Sequence, residues 1–240
     1  MANIKKDSSV LLFSGGTDSY IVSQLYPPDI YLYCDIGTEE SKYERETIKQ
    51  LGINAIIESR LYLKDLELPN KILPMRNLFL ILIACYYGDS IMVGATKGDL
   101  TRDGTEEFKD LVNELFVSLY CIPEKNPRGV HTPKVQFPVK SLTKTELVYY
   151  YLMSGFSLEK LKLTRSCYGS MDRRDCGLCI SCFRKFISYV NNNIFTDTDF
   201  VSHPMENVAE NYKLICRLDG ENEDAKRAMK ILNWKDDNIK

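Results

Sequence analysis

The sequence predicts a doubly wound α/β fold, built on a mainly parallel sheet of five strands with helices on both faces. Short apolar segments alternate five times with segments of helical spacing, and this alternation is typical of a parallel sheet that is covered on both faces. The 240 residues are also 44% hydrophobic. That is enough for one large domain, or for a domain with a smaller appendage.

Each predicted strand is short and apolar, and the predicted helices begin at recognisable signals. Two helices are expected to start at capping boxes, Ser41 to Glu44 and Thr143 to Glu146. The apolar run of residues 75–88 predicts a helix that is buried on most sides. The predicted strands are residues 10–13, 30–35, 54–59, 90–96 and 135–139.

Composition and charge exclude some classes of function. The chain has 31 basic and 33 acidic residues, and its net charge of -2 gives no general attraction to nucleic acid or to an anionic membrane. The longest apolar run, residues 78–87, is about half as long as a membrane span. The first residues lack the apolar core of a signal peptide. We therefore expect a cytoplasmic protein that contacts neither membranes nor nucleic acid directly.

The strongest motif is the string Ser-Gly-Gly-Thr-Asp-Ser, which follows the first predicted strand and leads into a helix. Glycines let a backbone turn sharply and approach a ligand closely, and the start of a helix offers free N–H groups to an anion. The hydroxyls add donors, and the carboxylate either complements the helix dipole or lies beside magnesium and the phosphates. The predicted phosphate contacts are Ser14, Gly15, Gly16, Thr17, Asp18 and Ser19.

This string resembles the pyrophosphate-binding loop of the ATP pyrophosphatases, the PP-loop family. It differs from the kinase-type P-loop because no Gly-Lys-Ser/Thr follows, and it lacks the spacing of a dinucleotide fingerprint. The resemblance implies an adenine nucleotide α-hydrolase-like fold that binds ATP and Mg²⁺. It also implies cleavage of ATP between the α- and β-phosphates, with transfer of AMP to an oxygen of the acceptor.

Half of the eight cysteines, Cys167, Cys176, Cys179 and Cys182, have the spacing C-x8-C-x2-C-x2-C. Two-residue gaps let thiolates converge on one ion, and Gly177 eases the turn between them. Four thiolates favour tetrahedral zinc, and an iron–sulfur cluster is the alternative. Because thiolates fill all positions, we predict a structural metal rather than a catalytic one. The remaining cysteines are expected to be small buried apolar residues.

The composition changes near Thr164, where the cysteine-rich part begins. We therefore predict two domains: residues 1–163 form an ATP-binding α/β domain, and residues 164–240 form a zinc-binding module with a helical tail. Residues 219–234 are expected to be a solvated terminal helix that carries no chemistry.

Together with the PP-loop and the cysteine string, three further segments resemble the 7-cyano-7-deazaguanine synthase family, also called the QueC family. They are "LPMRN" at residues 73–77, "VGATKGD" at residues 93–99 and "FPVKSLTKTEL" at residues 137–147. The resemblance runs from about Val10 to Ile187, some three quarters of the chain.

The resemblance implies an ATP-dependent C–N ligase that releases AMP and pyrophosphate. Such an enzyme adenylates the carboxylate of 7-carboxy-7-deazaguanine and reacts it with ammonia to give 7-cyano-7-deazaguanine. In this chain it implies that Lys144 lies near the phosphates and that Arg76 binds a carboxylate or phosphate, because a guanidinium can bind two oxygens. An ordinary surface ion pair is the other interpretation of Arg76. The resemblance also implies a homodimer.

Three residues are weaker candidates for substrate binding. Asn77 either caps a helix or contacts substrate, and Asp99 either binds the base edge or simply ends a strand. Arg165 stands where the family commonly has Trp. Residues 100–108 replace an aromatic-Pro-Asp-Cys element of the family and lack both its aromatic residue and its cysteine. A relative that stops at the amide, or that couples the deazaguanine to another amine, therefore remains open.

Two other classes of function are alternatives. A PP-loop enzyme that modifies tRNA predicts a basic surface and a catalytic cysteine near ATP, for which Cys34 and Cys121 are the candidates. The net acidity argues against that class. A zinc-stabilised binding module with an inactive nucleotide loop is disfavoured by the intact loop at residues 14–19 and by Lys144.

Overall fold

One sheet of parallel strands forms the centre of the molecule. The computed structural model describes residues 8–69, 71–99, 101–120, 132–167, 174–218 and 220–234. The strands are β1 (Ser9–Leu12), β2 (Ile30–Cys34), β3 (Ile56–Glu58), β4 (Ser90–Met92) and β5 (Lys134–Gln136). Their order is β3-β2-β1-β4-β5, and each neighbouring pair is parallel. The predicted five-stranded parallel sheet is thus confirmed.

The helices of the described residues lie between and after the strands. They are α1 (Thr17–Leu25), α2 (Ser41–Leu51), α3 (Arg76–Ala84), α4 (Glu106–Tyr120), α5 (Lys144–Met153), α6 (Leu158–Leu163), α7 (Ile180–Asn191), α8 (Val208–Ile215) and α9 (Glu221–Ile231). Each of them falls short of the length and hydrophobicity that a membrane span requires.

Both faces of the sheet are covered, because alternate residues of a strand point to opposite sides. Val10 and Leu12 of β1 belong to a core that is completed by α3 and α4. Leu11 and Phe13 belong to a second core, formed with α1, α2, α5, α6 and α7. This arrangement confirms the doubly wound prediction, and it explains why the strands are apolar at consecutive positions.

Two local predictions were wrong, and in both cases tertiary packing decided the outcome. Helix α3 is not buried on most sides: Ile81 and Ala84 are its buried residues, whereas Leu82 is 40% exposed. The capping box at Ser41 is also absent, because Glu44 accepts a hydrogen bond from Tyr33 instead. The second predicted capping box, from Thr143 to Glu146 at the start of α5, is confirmed.

The C-terminal helices form a third core around α7, and this corrects the expectation of a solvated terminal helix. Ala225 and Ala228 of α9 are fully buried against this core. At the start of the same helix Glu221 is fully buried as well. The polar sequence of α9 concealed this, because one face of a short helix is enough to bury it.

The strand order places a topological switch point beside β1. The chain passes from β1 to β2 and β3 on one side, and then crosses to β4 and β5 on the other. Ligands of open parallel sheets bind in the crevice at the carboxyl ends of the strands beside such a point. The loop that follows β1 lies at this crevice.

Candidate functional site

A cavity of about 340 Å³ opens at the carboxyl ends of β1, β2 and β4. This volume is within the range of small-molecule sites. Every predicted site residue outside the metal cluster lines the cavity, with the exception of Gly15. The fold therefore brings together residues that are spread over 150 positions of sequence, from Ser14 to Arg165.

The loop after β1 has the backbone geometry that its glycines predict. Gly15 has a φ of 74°, a left-handed conformation that favours glycine. A Cβ on Gly16 would lie 3.2 Å from the carbonyl oxygen of Arg165. Gly16 is also the N-cap of α1, and since it has no side chain, it leaves the N–H groups of the first turn to other acceptors. These groups form the anion-binding end of the helix.

A second glycine contact holds α1 against β4. A Cβ on Gly94 would lie 3.0 Å from the backbone nitrogen of Ser19 and 3.2 Å from the carbonyl carbon of Asp18. Only a residue without a side chain therefore lets the end of β4 approach the first turn of α1 this closely. This contact closes the crevice at the switch point and sets one wall of the cavity.

Lys144 and Asp18 form the central ion pair of the cavity. The Lys144 Nζ donates to Asp18 Oδ1 at 2.5 Å and to Oδ2 at 2.7 Å. The Lys144 side chain is 4% exposed and that of Asp18 is 23% exposed. Lys144 is the first residue of α5, directly after the Thr143 cap. Its ammonium group thus faces the PP-loop string from the opposite wall.

Thr17 joins the loop to the segment that precedes the metal cluster. Its Oγ1 lies 2.9 Å from Thr164 Oγ1 and 2.9 Å from Ser166 Oγ. The backbone N–H of Arg165 also donates to the carbonyl of Gly15, at 3.2 Å. The hydroxyl of Thr17, a predicted phosphate donor, is therefore engaged with the C-terminal segment.

Arg165 lies flat against an aromatic ring. Its guanidinium carbon is 4.4 Å from the centroid of the Tyr43 ring, a cation–π arrangement. Its Nε donates to the carbonyl of Cys167 at 3.4 Å. Where the family commonly has Trp, this chain thus presents a stacked cation at the cavity wall.

Arg76 and Asn77 begin helix α3 at the far side of the cavity. Asn77 is not the cap of this helix. Its backbone N–H donates to Asp103 Oδ2 at 2.9 Å, and its side-chain amide donates to the Asp103 carbonyl at 3.0 Å. Residues 100–108, which depart from the family pattern, therefore contact the start of α3 through Asp103. Arg76 acts electrostatically on Glu44, whose carboxyl also lines the cavity.

The Glu44 carboxyl has a raised pKa. Burial is the main cause, and the charges of Glu40 and Asp35 add to it, while the hydrogen bond from Tyr33 and the charge of Arg76 oppose it. The Tyr33 hydroxyl donates to Glu44 Oε2 at 2.9 Å. This wall of the cavity is acidic, whereas the wall with Lys144 is basic.

Asp99 and Arg184 form a second ion pair. The sequence predicted Asp99 as a site residue, but it did not predict Arg184. Arg184 Nη1 donates to Asp99 Oδ1 at 3.2 Å, and Arg184 Nη2 donates to Thr96 Oγ1 at 3.0 Å. Asp99 also accepts from the backbone N–H of Thr96 at 2.8 Å. Arg184 lines the cavity. A signal was available: Arg184 and Lys185 are adjacent cations in a mostly apolar stretch that directly follows Cys182.

The four predicted cysteines form a compact cluster. The sulfur atoms of Cys167, Cys176, Cys179 and Cys182 all lie within 4.8 Å of one another. The Cys176 and Cys182 sulfurs are 3.7 Å apart, and those of Cys179 and Cys182 are 3.4 Å apart. Tetrahedral ligation at the usual zinc–sulfur distance of about 2.3 Å separates sulfurs by about 3.8 Å. The cluster can therefore hold a metal ion such as zinc.

Gly177 has the role that its position predicts. Its φ is 84°, and a Cβ would lie 1.8 Å from the carbonyl oxygen of Ser202. The backbone N–H of Ser202 donates to the Cys176 carbonyl. Gly177 thus makes the turn between Cys176 and Cys179 and lets the C-terminal segment pack against it.

A buried ion pair connects the metal cluster to the cavity wall. Asp175 accepts from the backbone N–H groups of Ser166 and Cys167, at 3.1 Å each, and from Lys185 Nζ at 2.9 Å. Lys185 Nζ also donates to the Thr164 carbonyl at 2.7 Å. The position of residues 164–167 is therefore determined jointly by Asp175 and by the metal cluster.

Among the described residues, the cysteines outside the cluster do not supply a thiolate to the cavity. Cys34 lines it, but burial, together with the charge of Glu58, raises the pKa of its thiol to about 12. A thiol with such a pKa is a poor nucleophile. Cys121 lies outside the described residues. None of the seven described cysteines forms a disulfide.

Comparison with known proteins identifies the family. A model of the family described as queuosine biosynthesis protein QueC matches residues 29–193, more than half of the chain. The chain belongs to the QueC family. The match covers Lys144, Arg76 and the four cysteines of the metal cluster. It begins after the loop at residues 14–19 and ends before α9.

Two curated relatives agree with this QueC assignment. One, from Prochlorococcus marinus subsp. pastoris, is 25% identical over 75% of this chain and 92% of its own length. The other, from Prochlorococcus marinus strain MIT 9515, is 26% identical over the same shares. Both are named 7-cyano-7-deazaguanine synthase. The family that the motifs predicted is thus confirmed.

Proposed function

We propose that this protein is an ATP-dependent ligase that adenylates the carboxylate of 7-carboxy-7-deazaguanine and reacts it with ammonia to form 7-cyano-7-deazaguanine. The observation that carries the proposal is the cavity at the strand ends, where the PP-loop string, Lys144 and Arg76 lie together in a QueC family member. Membership alone would not indicate an active site, and the cavity alone would not indicate a substrate.

In the proposed reaction, the carboxylate attacks the α-phosphorus of ATP and pyrophosphate leaves. Ammonia displaces AMP and gives the amide; a second adenylation of the amide oxygen, followed by loss of AMP, gives the nitrile. The residues position the reactants and stabilise charge. Ser14, Gly15, Gly16, Thr17, Asp18 and Ser19 bind the nucleotide phosphates, the last through its hydroxyl and backbone.

Charge on the departing pyrophosphate is offset mainly by Lys144, which is paired with Asp18 in the cavity. Asp18 is the carboxylate that would hold magnesium, which when bound would further neutralise the phosphates. Arg76 is the second catalytic candidate, since its fork can bind the substrate carboxylate or a phosphate. Asn77, Asp99 and Arg165 are proposed as weaker substrate contacts.

The metal in this proposal is zinc, and its role is structural. The thiolates of Cys167, Cys176, Cys179 and Cys182 fill a tetrahedral site, so no position remains for a reacting water. The site anchors residues 164–167, and these residues contact Thr17 and Gly15. The proposal includes two domains, an ATP-binding domain of residues 1–163 and a zinc-binding module of residues 164–240.

One observation favours a second candidate, a relative that stops at the amide or couples the deazaguanine to another amine. Asp103, in the segment that differs from the family pattern, binds the start of α3 at the cavity, and Arg165, which stands in place of Trp, lies over the Tyr43 ring at the cavity wall. A PP-loop enzyme that modifies tRNA is less well supported, because the thiol of Cys34 has a raised pKa.

The decisive experiment measures pyrophosphate release from ATP with 7-carboxy-7-deazaguanine and ammonium, followed by mass spectrometry of the product. A nitrile supports the synthase, and an amide or a substituted amide supports the second candidate. No release with zinc-loaded protein that binds ATP would reject both. The proposed homodimer is tested separately by light scattering, since α4 exposes Leu111, Leu115 and Leu119 in one stripe.

A further inference from the structure

The start of α9 lies directly behind the cavity wall. Glu221, its first residue, is fully buried. Its Oε1 accepts a hydrogen bond from Arg184 Nη2 at 2.9 Å and one from the backbone N–H of Lys144 at 3.4 Å. Arg184 and Lys144 both line the cavity, and Glu221 does not. The Glu221 carboxylate thus binds both the side chain of Arg184 and the backbone of Lys144.

The chain makes room for this carboxylate. A Cβ on Gly98 would lie 2.2 Å from Glu221 Cγ, so only glycine admits Glu221 at this point. Gly98 belongs to the turn that also carries Thr96 and Asp99, the other partners of Arg184. Arg184 is therefore held by three groups, two on the turn after β4 and one on α9.

This arrangement has a cost in stability. Glu221 Oε2 and Arg184 Nε are buried and have no hydrogen-bond partner among the described residues. Buried polar atoms without partners destabilise a fold, and such atoms concentrate at functional sites. A helix whose task was only to cover the third core would need no buried carboxylate at its start.

Arg184 is suited to bind an anion. It lies within electrostatic reach of Asp18, and Asp18 is paired with Lys144. Both cations therefore act on the same carboxylate of the PP-loop string. A guanidinium attracts phosphate oxygens by its permanent charge, and here Asp99, Thr96 and Glu221 fix the position of that charge.

We propose that Arg184 is a second phosphate-binding cation and that Glu221 is its positioning residue, so that α9 completes the nucleotide site. The proposal rests on the proposed use of ATP, but not on the identity of the acceptor. It assigns a function to a helix beyond the residues that the family model matches. The packing of Ala225 and Ala228 in the third core makes α9 a permanent support rather than a movable latch.

The test is binding of Mg–ATP and of inorganic pyrophosphate to the full zinc-loaded chain, measured by calorimetry without any acceptor. Glu221→Ala should raise the Kd for Mg–ATP about tenfold, which corresponds to about 1.4 kcal/mol. The shape-preserving Glu221→Gln should recover part of this loss, because its amide oxygen still accepts from Arg184. Glu223→Gln is the matched control, since Glu223 is in the same helical turn and its side chain is 73% exposed.

The direction of the change in Kd distinguishes a positioning role of Glu221 from a purely electrostatic one. If Glu221 acted only by its negative charge, both substitutions would tighten ATP binding, because they remove repulsion. Equal or tighter binding in both variants would therefore overturn the proposal. In an Arg184→Ala background, Glu221→Gln should add less than about a twofold change, since coupled residues are not additive. Independent, additive losses would contradict the positioning role.

Unfolding midpoints of all variants distinguish loss of the fold from loss of the site. If Glu221→Ala does not fold, Glu221→Gln and Gly98→Ala are used instead. Gly98→Ala should weaken ATP binding, because its Cβ would displace the Glu221 side chain. If wild-type protein binds ATP but releases no pyrophosphate with the deazaguanine acid, the substrate assignment fails and this inference stands. If wild-type protein binds neither ATP nor pyrophosphate, both fail.

Discussion

Lys144 and Asp18 form a two-oxygen ion pair across 126 residues of sequence, with distances of 2.5 and 2.7 Å. The pair joins the first turn of α1 to the first turn of α5, so two helix N-termini and one ammonium group face the same crevice. This arrangement favours a polyphosphate ligand, because positive ends of helix dipoles and a cation converge there.

Replacement of Lys144 by Met should abolish most of the activity while leaving the protein folded. The substitution keeps the length of the side chain and removes the charge that offsets the departing pyrophosphate. We expect kcat for pyrophosphate release to fall about 10²–10³-fold, as for the loss of a group that stabilises developing charge. Lys226→Met is the control, because Lys226 is exposed and its ion pair is with Glu223, another exposed residue. Near-normal turnover of the Lys144 variant would contradict its role.

Thr17→Val should destabilise the link between the nucleotide loop and the metal module. Valine has nearly the same shape, but it leaves Thr164 and Ser166 without a hydroxyl partner that is 2.9 Å away in the native protein. We expect a loss of about 0.5–1.5 kcal/mol in the free energy of unfolding, the net contribution of a typical hydrogen bond, because the Thr164 hydroxyl still donates to the Leu161 carbonyl. Thr17→Ser retains the hydroxyl and should recover most of it. Denaturant titration measures both, and identical losses would show that the hydroxyl is not the cause.

Gly177→Ala should lose metal, whereas Gly155→Ala should not. Both glycines have positive φ, 84° and 77°, so each substitution carries a similar backbone penalty of about 1–2 kcal/mol. Only at Gly177 would the new Cβ also meet the Ser202 carbonyl, at 1.8 Å, while nothing lies within 4 Å at Gly155. Zinc content by elemental analysis is the measurement. A full complement of zinc in the Gly177 variant would argue against this account.

Removal of the metal should unfold the third core and leave a spectroscopic signal. The single tryptophan, Trp234, packs on Tyr212 in this core, with ring centroids 5.2 Å apart. Structural zinc supplies an apparent binding energy of about 10–16 kcal/mol, which is comparable to the total stability of a domain, about 5–15 kcal/mol. A strong chelator should therefore shift the Trp234 emission to longer wavelength. An unchanged spectrum after verified loss of metal would mean that the module folds without it.

Glu44→Gln should stabilise the protein at neutral pH and have no such effect in acid. The raised pKa of Glu44 means that the folded state binds its proton more tightly than the unfolded state does. Its contribution to stability is therefore lost as pH rises from the unfolded pKa through the folded one. The amide has no charge to bury, so the variant gains relative stability above this window and none below it. Thermal midpoints at pH 4 and pH 7.5, with the exposed Glu114→Gln as control, measure the difference.

The local chemistry of this protein was determined by short stretches of sequence. The PP-loop string needs its glycines wherever it occurs, and the spacing of Cys176, Cys179 and Cys182 by itself allows convergence on one ion. The alternation of apolar runs and helical segments likewise sufficed for the doubly wound sheet, because periodicity reflects which faces are buried. These features depend on residues that are close together in the chain.

Only the tertiary structure decided which distant groups meet. The pairing of Lys144 with Asp18, the engagement of Thr17 with Ser166, and the contact of Glu221 with Arg184 each join positions far apart in sequence. The polar sequence of α9 predicted a solvated helix. Glu221 is buried nonetheless, since Arg184 offers it a counter-charge that no local pattern reveals. Contacts between residues that are far apart in sequence depend on strand order and packing, and neither can be read directly from a single sequence.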